Sequence, residues 1–474
     1  MSSEPPNGRI NLTILRLASR EATNRLSSNV KIKGILSVPG DKSISHRALI
    51  FSALSSGTVS IKGLSPAEDC QSTATCLRRL GLRVNQSQNP GRGAALIHEA
   101  VTIESPGLNA LNQSHTPLFA GNSGTTIRVM AGLVAGLPFK TRFDGDQSLR
   151  KRPMSRVLVP LAEMGAQIDY EKPPDAAQIP GCAPFSIKGG NLQGQAYSLK
   201  VASAQVQTAL LLAGLQADGM TSVKMPSVVR DHTERMFAYM GIPFTRQQDG
   251  TITVSRLVEP VPPYTISVPG DISSAAFFMV AAACVPGSDV LLKNIGINPG
   301  RTLVIDVLKA MGADIRLESQ AEITGEPVAD IRVRYAGRLK GTTISGDTVA
   351  QGIDEIPVLA LAGATCDGIF RVSGAEELRH KESDRLNAIV ENFRRAGLRV
   401  QELADGFDLE GAGSINGNSP WATYKDHRLA MTGLIANCIF EQPVQIEETD
   451  SIRISYPGFA EHLDYLLGQS RSAV

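Results

Sequence analysis

One short phrase occurs twice in this chain. "SVPGDKSISHRAL" runs from Ser37 to Leu49, and "SVPGDISSAAFF" runs from Ser267 to Phe278. Pro-Gly favours a turn and Asp is a preferred helix N-cap, so each copy predicts a strand that leaves through a turn into a capped helix. We therefore expect the same structural event twice, with the chain crossing between two halves near Gly40 and Gly270.

A second pattern divides the chain into repeated units. Phrases such as "RRLGLRV" around Gly81 and "KAMGADI" around Gly312 predict helices that end at glycine and lead into a strand. Between them we predict six apolar helices, with N-caps at Asp41, Asn122, Ser203, Asp271, Asp354 and Asp426. The sixth unit lacks a closing strand, and we expect "NVKIKGILSV" before Asp41 to supply it.

These units predict an α/β (α+β) chain of two similar domains, each built from three units. The first domain is expected to span residues 40–269, and the second residues 31–39 plus 270–474. Residues 1–30 are polar and weakly patterned, which is typical of a disordered N-terminal extension. Their Ser and Arg content also allows a transit peptide, against which Glu4 and Glu21 argue.

Composition restricts the classes of function. The 474 residues carry a net charge of +1, so a non-specific nucleic-acid binder is not indicated. Six scattered cysteines without a CxxC pair indicate reduced thiols and a cytoplasmic location. The longest apolar run, Ala275 to Val285, is too short to cross a bilayer, so no membrane association is expected. We expect a monomer.

Polar and charged residues gather at the predicted helix starts and in two loops. Unpaired N–H groups and the helix dipole make such starts suitable for anions. If the two halves face each other, Lys42, Arg128, Arg152, Arg385 and Arg428 surround one cleft that holds two or three small anionic groups, with Asp354 and Glu382 as candidates for proton transfer. The helix starts and the two loops carry Lys42, Ser43, Arg47, Gly121, Asn122, Gly124, Arg128, Arg150, Lys151, Arg152, Ser203, Gln205, Asp354, Glu355, Lys381, Glu382, Asp384, Arg385, His427 and Arg428.

Several common motifs are absent from the sequence. "GDKS" lacks the glycine spacing of a phosphate loop, and no GxGxxG opens a helix after a strand. The seven histidines include no HExxH, so no metal is expected, and there is no GxSxG nucleophile elbow.

Eight phrases stand in a characteristic order along the chain: "PGDKSISHRAL", "GNSGTTIRVM", "GDQSLRKRPMSRV", "SAQVQTALLLAG", "VVRDHTERM", "IDEIPVLA", "ELRHKESDRL" and "DHRLAM". Together they resemble the 5-enolpyruvylshikimate-3-phosphate (EPSP) synthase family, and "SAQVQTALL" and "RDHTE" are most similar to its bacterial class II members. That resemblance implies two domains of three βαβαββ units joined by a double-crossover hinge. It also implies transfer of the enolpyruvyl group of phosphoenolpyruvate to the 5-hydroxyl of shikimate 3-phosphate, by addition and elimination without metal or cofactor.

The resemblance also implies a role for each site residue. Asp354, Glu382 and Lys42 would transfer protons. Phosphoenolpyruvate would be bound by Lys42, Asn122, Gly124, Arg152, Gln205, Arg385 and Arg428. Shikimate 3-phosphate would be bound by Lys42, Ser43, Arg47, Ser203, Gln205, Asp354 and Lys381. The second SVPGD copy, with Ile272 and Ala276 at the positions of Lys42 and Arg47, would keep the hinge without the ligands.

Some positions depart from the commoner family pattern. Arg230 stands where many members have a serine that helps bind the acceptor phosphate, and Ala204 also replaces a serine. Glu377 replaces an asparagine, and Ile454 replaces a lysine for which Arg453 could substitute.

Two other interpretations stay open at the level of sequence. The UDP-N-acetylglucosamine enolpyruvyl transferases share the implied fold, but they would be expected to carry a cysteine in a glycine-rich loop, and none precedes Arg152. A non-enzymatic ring-like clamp would place its charge along helix faces rather than at helix starts.

Overall fold

A computed structural model describes residues 30–85, 100–172, 179–227 and 229–468. The predicted N-terminal extension, except for Val30, lies outside these residues. Within them, no helix is both long enough and apolar enough to cross a membrane.

Twenty-two strands are present in the described parts of the chain. They are β1 (Lys33–Leu36), β2 (Ser56–Lys62), β3 (Arg83–Asn85), β4 (Val101–Pro106), β5 (Leu118–Phe119), β6 (Lys140–Asp144), β7 (Gln167–Tyr170), β8 (Phe185–Lys188), β9 (Ala196–Ser198), β10 (Thr221–Lys224), β11 (Thr245–Arg246), β12 (Ile252–Val254), β13 (Thr265–Ser267), β14 (Asp289–Gly296), β15 (Asp314–Ile323), β16 (Glu326–Arg334), β17 (Thr343–Ile344), β18 (Ile369–Val372), β19 (Val400–Leu403), β20 (Gly406–Glu410), β21 (Pro420–Trp421) and β22 (Gln445–Ile446).

Twelve α-helices are present in the same ranges. They are α1 (Lys42–Phe51), α2 (Glu68–Arg79), α3 (Gly124–Val134), α4 (Ser155–Glu163), α5 (Ala204–Gly214), α6 (His232–Met240), α7 (Ile272–Cys284), α8 (Leu303–Ala310), α9 (Ile356–Ala364), α10 (Arg385–Arg395), α11 (His427–Ile439) and α12 (Phe459–Gly468).

The strands form small sheets of one repeated design. The four-stranded sheets have the orders β13-β2-β4-β3, β5-β6-β8-β7, β11-β12-β10-β9, β1-β14-β16-β15 and β17-β18-β20-β19. In each sheet one edge strand pairs in parallel with its neighbour, and the other two neighbouring pairs are antiparallel. In the described residues the sixth sheet is the parallel pair β21-β22. The predicted α/β fold of repeated units is confirmed.

Buried apolar side chains form two clusters. One cluster draws its members from Ile44 to Val268. The other combines Ile32, Leu36 and Val38 with members from Ile272 to Leu466. We refer to them as the first and second domain; the boundaries given from the sequence stay a prediction.

Three helices at the centre of each domain are almost completely buried. In the first domain these are α1, α3 and α5, and in the second α7, α9 and α11. Helices α3 and α5 approach so closely that a Cβ added at Gly132 would lie 2.1 Å from the carbonyl oxygen of Ala209. Glycine in the middle of α3 is therefore explained by helix packing.

The two SVPGD phrases form the double crossover between the domains. The backbone N–H of Asp41 donates to the carbonyl of Pro269 at 2.7 Å, and that of Asp271 donates to the carbonyl of Pro39 at 2.9 Å. A Cβ at Gly40 would lie 1.8 Å from the carbonyl oxygen of Gly63, so this turn requires glycine.

The prediction that the strand before Asp41 completes the sixth unit is wrong. β1 pairs in parallel with β14 of the fourth unit, just as β13 pairs with β2 in the first domain. The physical reason is proximity, because each strand enters the crossover beside Gly40 or Gly270 and joins the sheet edge next to it.

Two predicted N-caps are also wrong. Ser123, rather than Asn122, caps α3 by accepting from the N–H of Thr126 at 3.1 Å. Asp354 lies in a 3₁₀ turn before α9, and Pro357 then occupies the first turn of that helix. The other four predicted caps accept a backbone N–H as expected.

We expect Gly132→Ala to lower the free energy of unfolding by about 1–3 kcal/mol, because an added methyl group must separate α3 from α5. Urea titration would measure this. Gly468→Ala is the control, since a Cβ there meets nothing within 4 Å. Equal stability of the two variants would contradict the packing argument.

Candidate active site

Charged side chains of the two domains meet at the helix starts. Arg152 of the first domain lies 3.4 Å (Nη1 to Oε1) from Glu382 of the second. At the edge of the same interface, Arg156 and Glu377 form an exposed pair at 3.3 Å. The predicted residues from both halves are therefore brought to one place.

Arg385 is the centre of the second domain's part of the site. Its side chain is 1% exposed and contacts three carboxylates. Nε donates to Asp426 at 2.8 Å, Nη1 to Asp354 at 3.0 Å, and Nη2 to Glu382 at 2.7 Å. Although burial opposes its charge, these carboxylates raise the pKa of Arg385 further above its usual value. Sequence reasoning treated Asp426 only as a helix cap and missed this ion pair.

Asp354 and Glu382 are ionised in this arrangement. Burial disfavours their charge, but nearby cations outweigh it and hold both pKa values well below the usual range. For Asp354 the strongest of these cations is Lys381, at 3.3 Å from Oδ1. For Glu382 the strongest are Arg385 and Arg152.

Arg152 is held against the start of α3. Its Nη2 donates to Oδ1 of Asn122 at 2.7 Å, and Asn122 in turn donates to Asp146 at 2.8 Å. Its Nε is buried without a hydrogen-bond partner among the described residues. A Cβ at Gly124 would lie 3.4 Å from Nη1 of Arg152 and 2.7 Å from Nη1 of Arg128, so Gly124 lies directly beside both guanidinium groups.

Gln205 orients Arg128 from the neighbouring helix start. Its Oε1 accepts from Nη1 of Arg128 at 3.0 Å, and its Nε2 donates to Thr125 at 2.9 Å. Both the oxygen and the nitrogen of the Gln205 amide are therefore hydrogen-bonded to residues of α3.

Lys42 pairs with a carboxylate that sequence reasoning missed. Its Nζ lies 2.8 Å from Oδ2 of Asp69, in the first turn of α2. Burial lowers the pKa of Lys42, but Asp69 outweighs burial and the net shift is upward. No motif in the sequence distinguishes Asp69 from an ordinary acidic residue in a first helical turn.

Arg428 and His427 begin α11. Nη1 of Arg428 lies 3.6 Å from Oε1 of Glu355, and its Nε is buried with no hydrogen-bond partner in the described residues. Burial lowers the pKa of His427 to about 4, with Lys42 acting in the same direction. His427 is therefore neutral at neutral pH.

Three predicted residues have mainly internal contacts. The Arg47 side chain is buried and donates to Thr233 and Thr208 and to the carbonyls of Ser43 and Ala204. Ser203 caps α5 by accepting from the N–H of Val206 at 3.4 Å. Ser43 lies half-buried in the first turn of α1.

Arg230 lies near charged groups of both domains. Burial lowers its pKa, as does Arg301, while Asp354 and Asp41 oppose the shift. Arg453 is placed differently, since it reaches across to Glu68 at 3.9 Å in an exposed pair.

No cluster of three or more His, Cys, Asp or Glu residues able to hold a metal occurs in the described ranges.

Two domains of repeated units with a cationic cleft define an enolpyruvyl transferase fold. The enolpyruvyl transferase NikO from Streptomyces tendae superposes with a TM-score of 0.73 over 93% of this chain and 96% of that one, and its 15% identity supports the fold alone. An EPSP synthase from Acinetobacter baumannii superposes with a TM-score of 0.81 at 38% identity, covering 93% and 97% of the two chains.

Sequence comparison identifies the family within that class. The family model of EPSP synthase (3-phosphoshikimate 1-carboxyvinyltransferase) matches residues 26–463. Curated enzymes of that name are 41% identical in Bacillus subtilis and 44% identical in Brevibacillus brevis, each over 93% of this chain and 98% of the relative. The chain belongs to the EPSP synthase family, and the resemblance drawn from the eight phrases is confirmed.

The chain is accordingly a transferase of the shikimate pathway, which leads to the aromatic amino acids. It transfers the enolpyruvyl group of phosphoenolpyruvate to shikimate 3-phosphate. The related UDP-N-acetylglucosamine enzyme and the non-enzymatic clamp are thereby set aside.

The buried neutral His427 predicts acid sensitivity. Its pKa is about 4 in the folded chain and about 6.5 when unfolded. The unfolded state therefore takes up the proton first, and the stability that neutral His427 contributes above pH 6.5 is lost as the pH falls towards 4. About 2 kcal/mol is lost by pH 5.

Thermal midpoints at pH 7 and pH 5 would measure this loss. His427→Gln should reduce the difference between the two midpoints. The same substitution at the exposed His115 is the control and should leave the difference unchanged. An unaltered difference in His427→Gln would contradict the assignment.

Proposed function

We propose that the cleft binds both substrates between the domains and that its carboxylates and Lys42 move the protons. The observation that carries this proposal is a row of three charged groups that crosses from one domain to the other. Arg152 lies 3.4 Å from Glu382, and Glu382 lies 2.7 Å from Arg385. Opposite charges of the two domains are adjacent here, at the starts of helices suited to anions.

Phosphoenolpyruvate is proposed to lie between the guanidinium groups. Arg152 and Arg428 each have a buried Nε without a partner in the described chain, which suits an anionic ligand that supplies the missing acceptor. The remaining contacts are proposed from Lys42, Asn122, Gly124, Gln205 and Arg385.

Shikimate 3-phosphate is proposed to lie nearer the first domain. Its contacts would come from Lys42, Ser43, Ser203, Gln205, Asp354 and Lys381. Arg230, a cation near Asp354 and Asp41, is a further candidate for the phosphate. The hydrogen bonds of Arg47 favour a supporting role, because it ties the carbonyls of Ser43 and Ala204, and hence α1 and α5, together.

The proton transfers follow from the charges. The 5-hydroxyl adds to C2 of phosphoenolpyruvate and loses its proton, while the methylene carbon gains one. Elimination removes a proton from the new methyl group as the bond from C2 to the phosphate oxygen breaks. Ionised Asp354 suits acceptance of the hydroxyl proton.

Glu382 is suited to protonate the methylene carbon, for a different reason. Burial raises its pKa, but Arg385 and Arg152 lie beside it and hold that pKa well below the usual range. An anionic substrate that binds these two cations offsets their charge, so the pKa of Glu382 rises and the carboxyl can hold a proton. We propose that Lys42, whose charge Glu382 helps to stabilise, acts together with that carboxylate, and the proposed transfers use side chains alone.

We also propose that the chain acts as a monomer in the cytoplasm. Both halves of the cleft come from one chain, so no second copy is needed to complete the site. The buried thiols of Cys70, Cys76 and Cys366 support a reducing compartment.

We expect Glu382→Gln and Asp354→Asn to lower kcat about a hundred- to ten-thousand-fold, far more than they weaken substrate binding, because each removes a proton-transfer group. Phosphate release and equilibrium binding would be measured. Glu376→Gln, in the exposed 3₁₀ turn just before Glu382, is the control. A variant with near-normal kcat and only a raised KM would exclude the role.

Gly124→Ala should discriminate between phosphoenolpyruvate and glyphosate, an inhibitor that competes with it in this family. The new methyl group would meet the guanidinium of Arg128 and narrow the site beside Arg152. It should crowd the longer inhibitor more than the compact substrate, by about 10- to 200-fold in the inhibition constant relative to KM. Parallel changes in both constants would refute a pocket position for Gly124.

A further inference from the structure

Arg301 connects the second SVPGD phrase to the first. This side chain, 7% exposed, lies between the N-cap carboxylates of the two phrases. Its Nη1 is 3.3 Å from Oδ2 of Asp41, and its Nη2 is 3.4 Å from Oδ1 of Asp271. Since Asp41 caps α1 and Asp271 caps α7, one guanidinium connects the starts of central helices in both domains.

The contacts continue from Arg301 towards the substrate cleft. Nη2 of Arg301 donates to Oγ of Ser273, and Oγ of Ser273 donates to Oε1 of Glu355. A guanidinium can only donate, so the single hydroxyl proton of Ser273 is directed to Glu355. Both Ser273 and Glu355 are buried, which makes an unpaired carboxylate costly.

Glu355 is the ion-pair partner of Arg428 in the described residues, at 3.6 Å between Oε1 and Nη1. No carboxylate on α11 itself holds this guanidinium, because Asp426 accepts instead from the backbone N–H of Arg428 and from Arg385. The orientation of the Arg428 guanidinium therefore depends on the position of the Glu355 carboxylate.

The connected residues lie at the pivot of the two domains. The reciprocal backbone hydrogen bonds between Asp41 and Pro269 and between Asp271 and Pro39 join the crossing segments there. Relative motion of two domains is smallest at their hinge, so contacts here would be disturbed least by any movement of one domain against the other.

We propose that Arg301, Ser273 and Glu355 are positioning residues that fix Arg428 for phosphoenolpyruvate. This inference rests on the proposed role of Arg428. The two SVPGD phrases then differ in what they contribute to the site. The first carries residues that face the substrates, and the second carries the serine that holds the counter-ion of a substrate-binding arginine.

The decisive comparison is between two neighbouring serines. Ser273→Ala removes the hydrogen bond to Glu355 and should raise the KM for phosphoenolpyruvate about three- to tenfold. The dissociation constant of shikimate 3-phosphate alone should stay unchanged. Ser274→Ala is the matched control, since Ser274 is also buried but contacts Asp271 at 3.5 Å instead of Glu355.

Two further variants test the direction of the effect. Ser273→Thr keeps the hydroxyl and should restore the KM towards that of the parent. Glu355→Gln should raise the KM, and adding Ser273→Ala to it should raise it no further, because both changes act on one pathway. Equal KM effects of Ser273→Ala and Ser274→Ala, or equal losses for both substrates, would overturn the proposal.

Arg428→Lys separates this inference from the proposed function. If Arg428→Lys leaves the KM for phosphoenolpyruvate unchanged, the proposed binding site is wrong. If Arg428→Lys raises that KM and neither Ser273→Ala nor Glu355→Gln does, the site stands and the positioning role is refuted.

Discussion

Burying the guanidinium of Arg385 imposes most of the site's geometry. A buried cation needs compensating charge, and here the carboxylates come from a helix cap (Asp426), a 3₁₀ turn (Asp354) and a loop (Glu382). These three segments must therefore meet at the first residue of α10. Glu382 then lies within reach of Arg152, so the same requirement connects the second domain to the first.

The cations of the site are consequently paired with carboxylates of the chain itself. Asp354 and Glu382 are paired with the cations to which the anionic substrates are proposed to bind. Substrate binding therefore exchanges an internal carboxylate for an external anion. This exchange limits the net gain from each ion pair and makes selectivity depend on geometry. It also gives the carboxylates two electrostatic environments, one before and one after the substrates bind.

Much of this arrangement could be predicted from sequence, because it depends on local rules. Glycine at helix ends, Asp at helix starts and the duplicated SVPGD specify the units and both crossovers. The errors involve residues whose partners are distant in sequence. β1 joins β14 because of where the crossover places it, and Asp69 pairs with Lys42 through an approach of α1 and α2 that no motif marks. The hydrogen bonds of Arg47 to Thr233 of α6 and Thr208 of α5 likewise join residues far apart in sequence, and no motif marks them.

The position of β1 has a consequence for synthesis of the chain. The N–H of Ile32 donates to Ser288 across a separation of 256 residues. The strand that completes the second domain thus leaves the ribosome before the whole first domain, and at about 5–20 residues per second it waits tens of seconds for β14. During that time its backbone edge is unpaired, which is an opportunity for wrong pairing with other strands. Lys33 shares one face of this strand with Ile35, and Gly34 shares the other with Leu36, so neither face is continuously apolar while the strand waits.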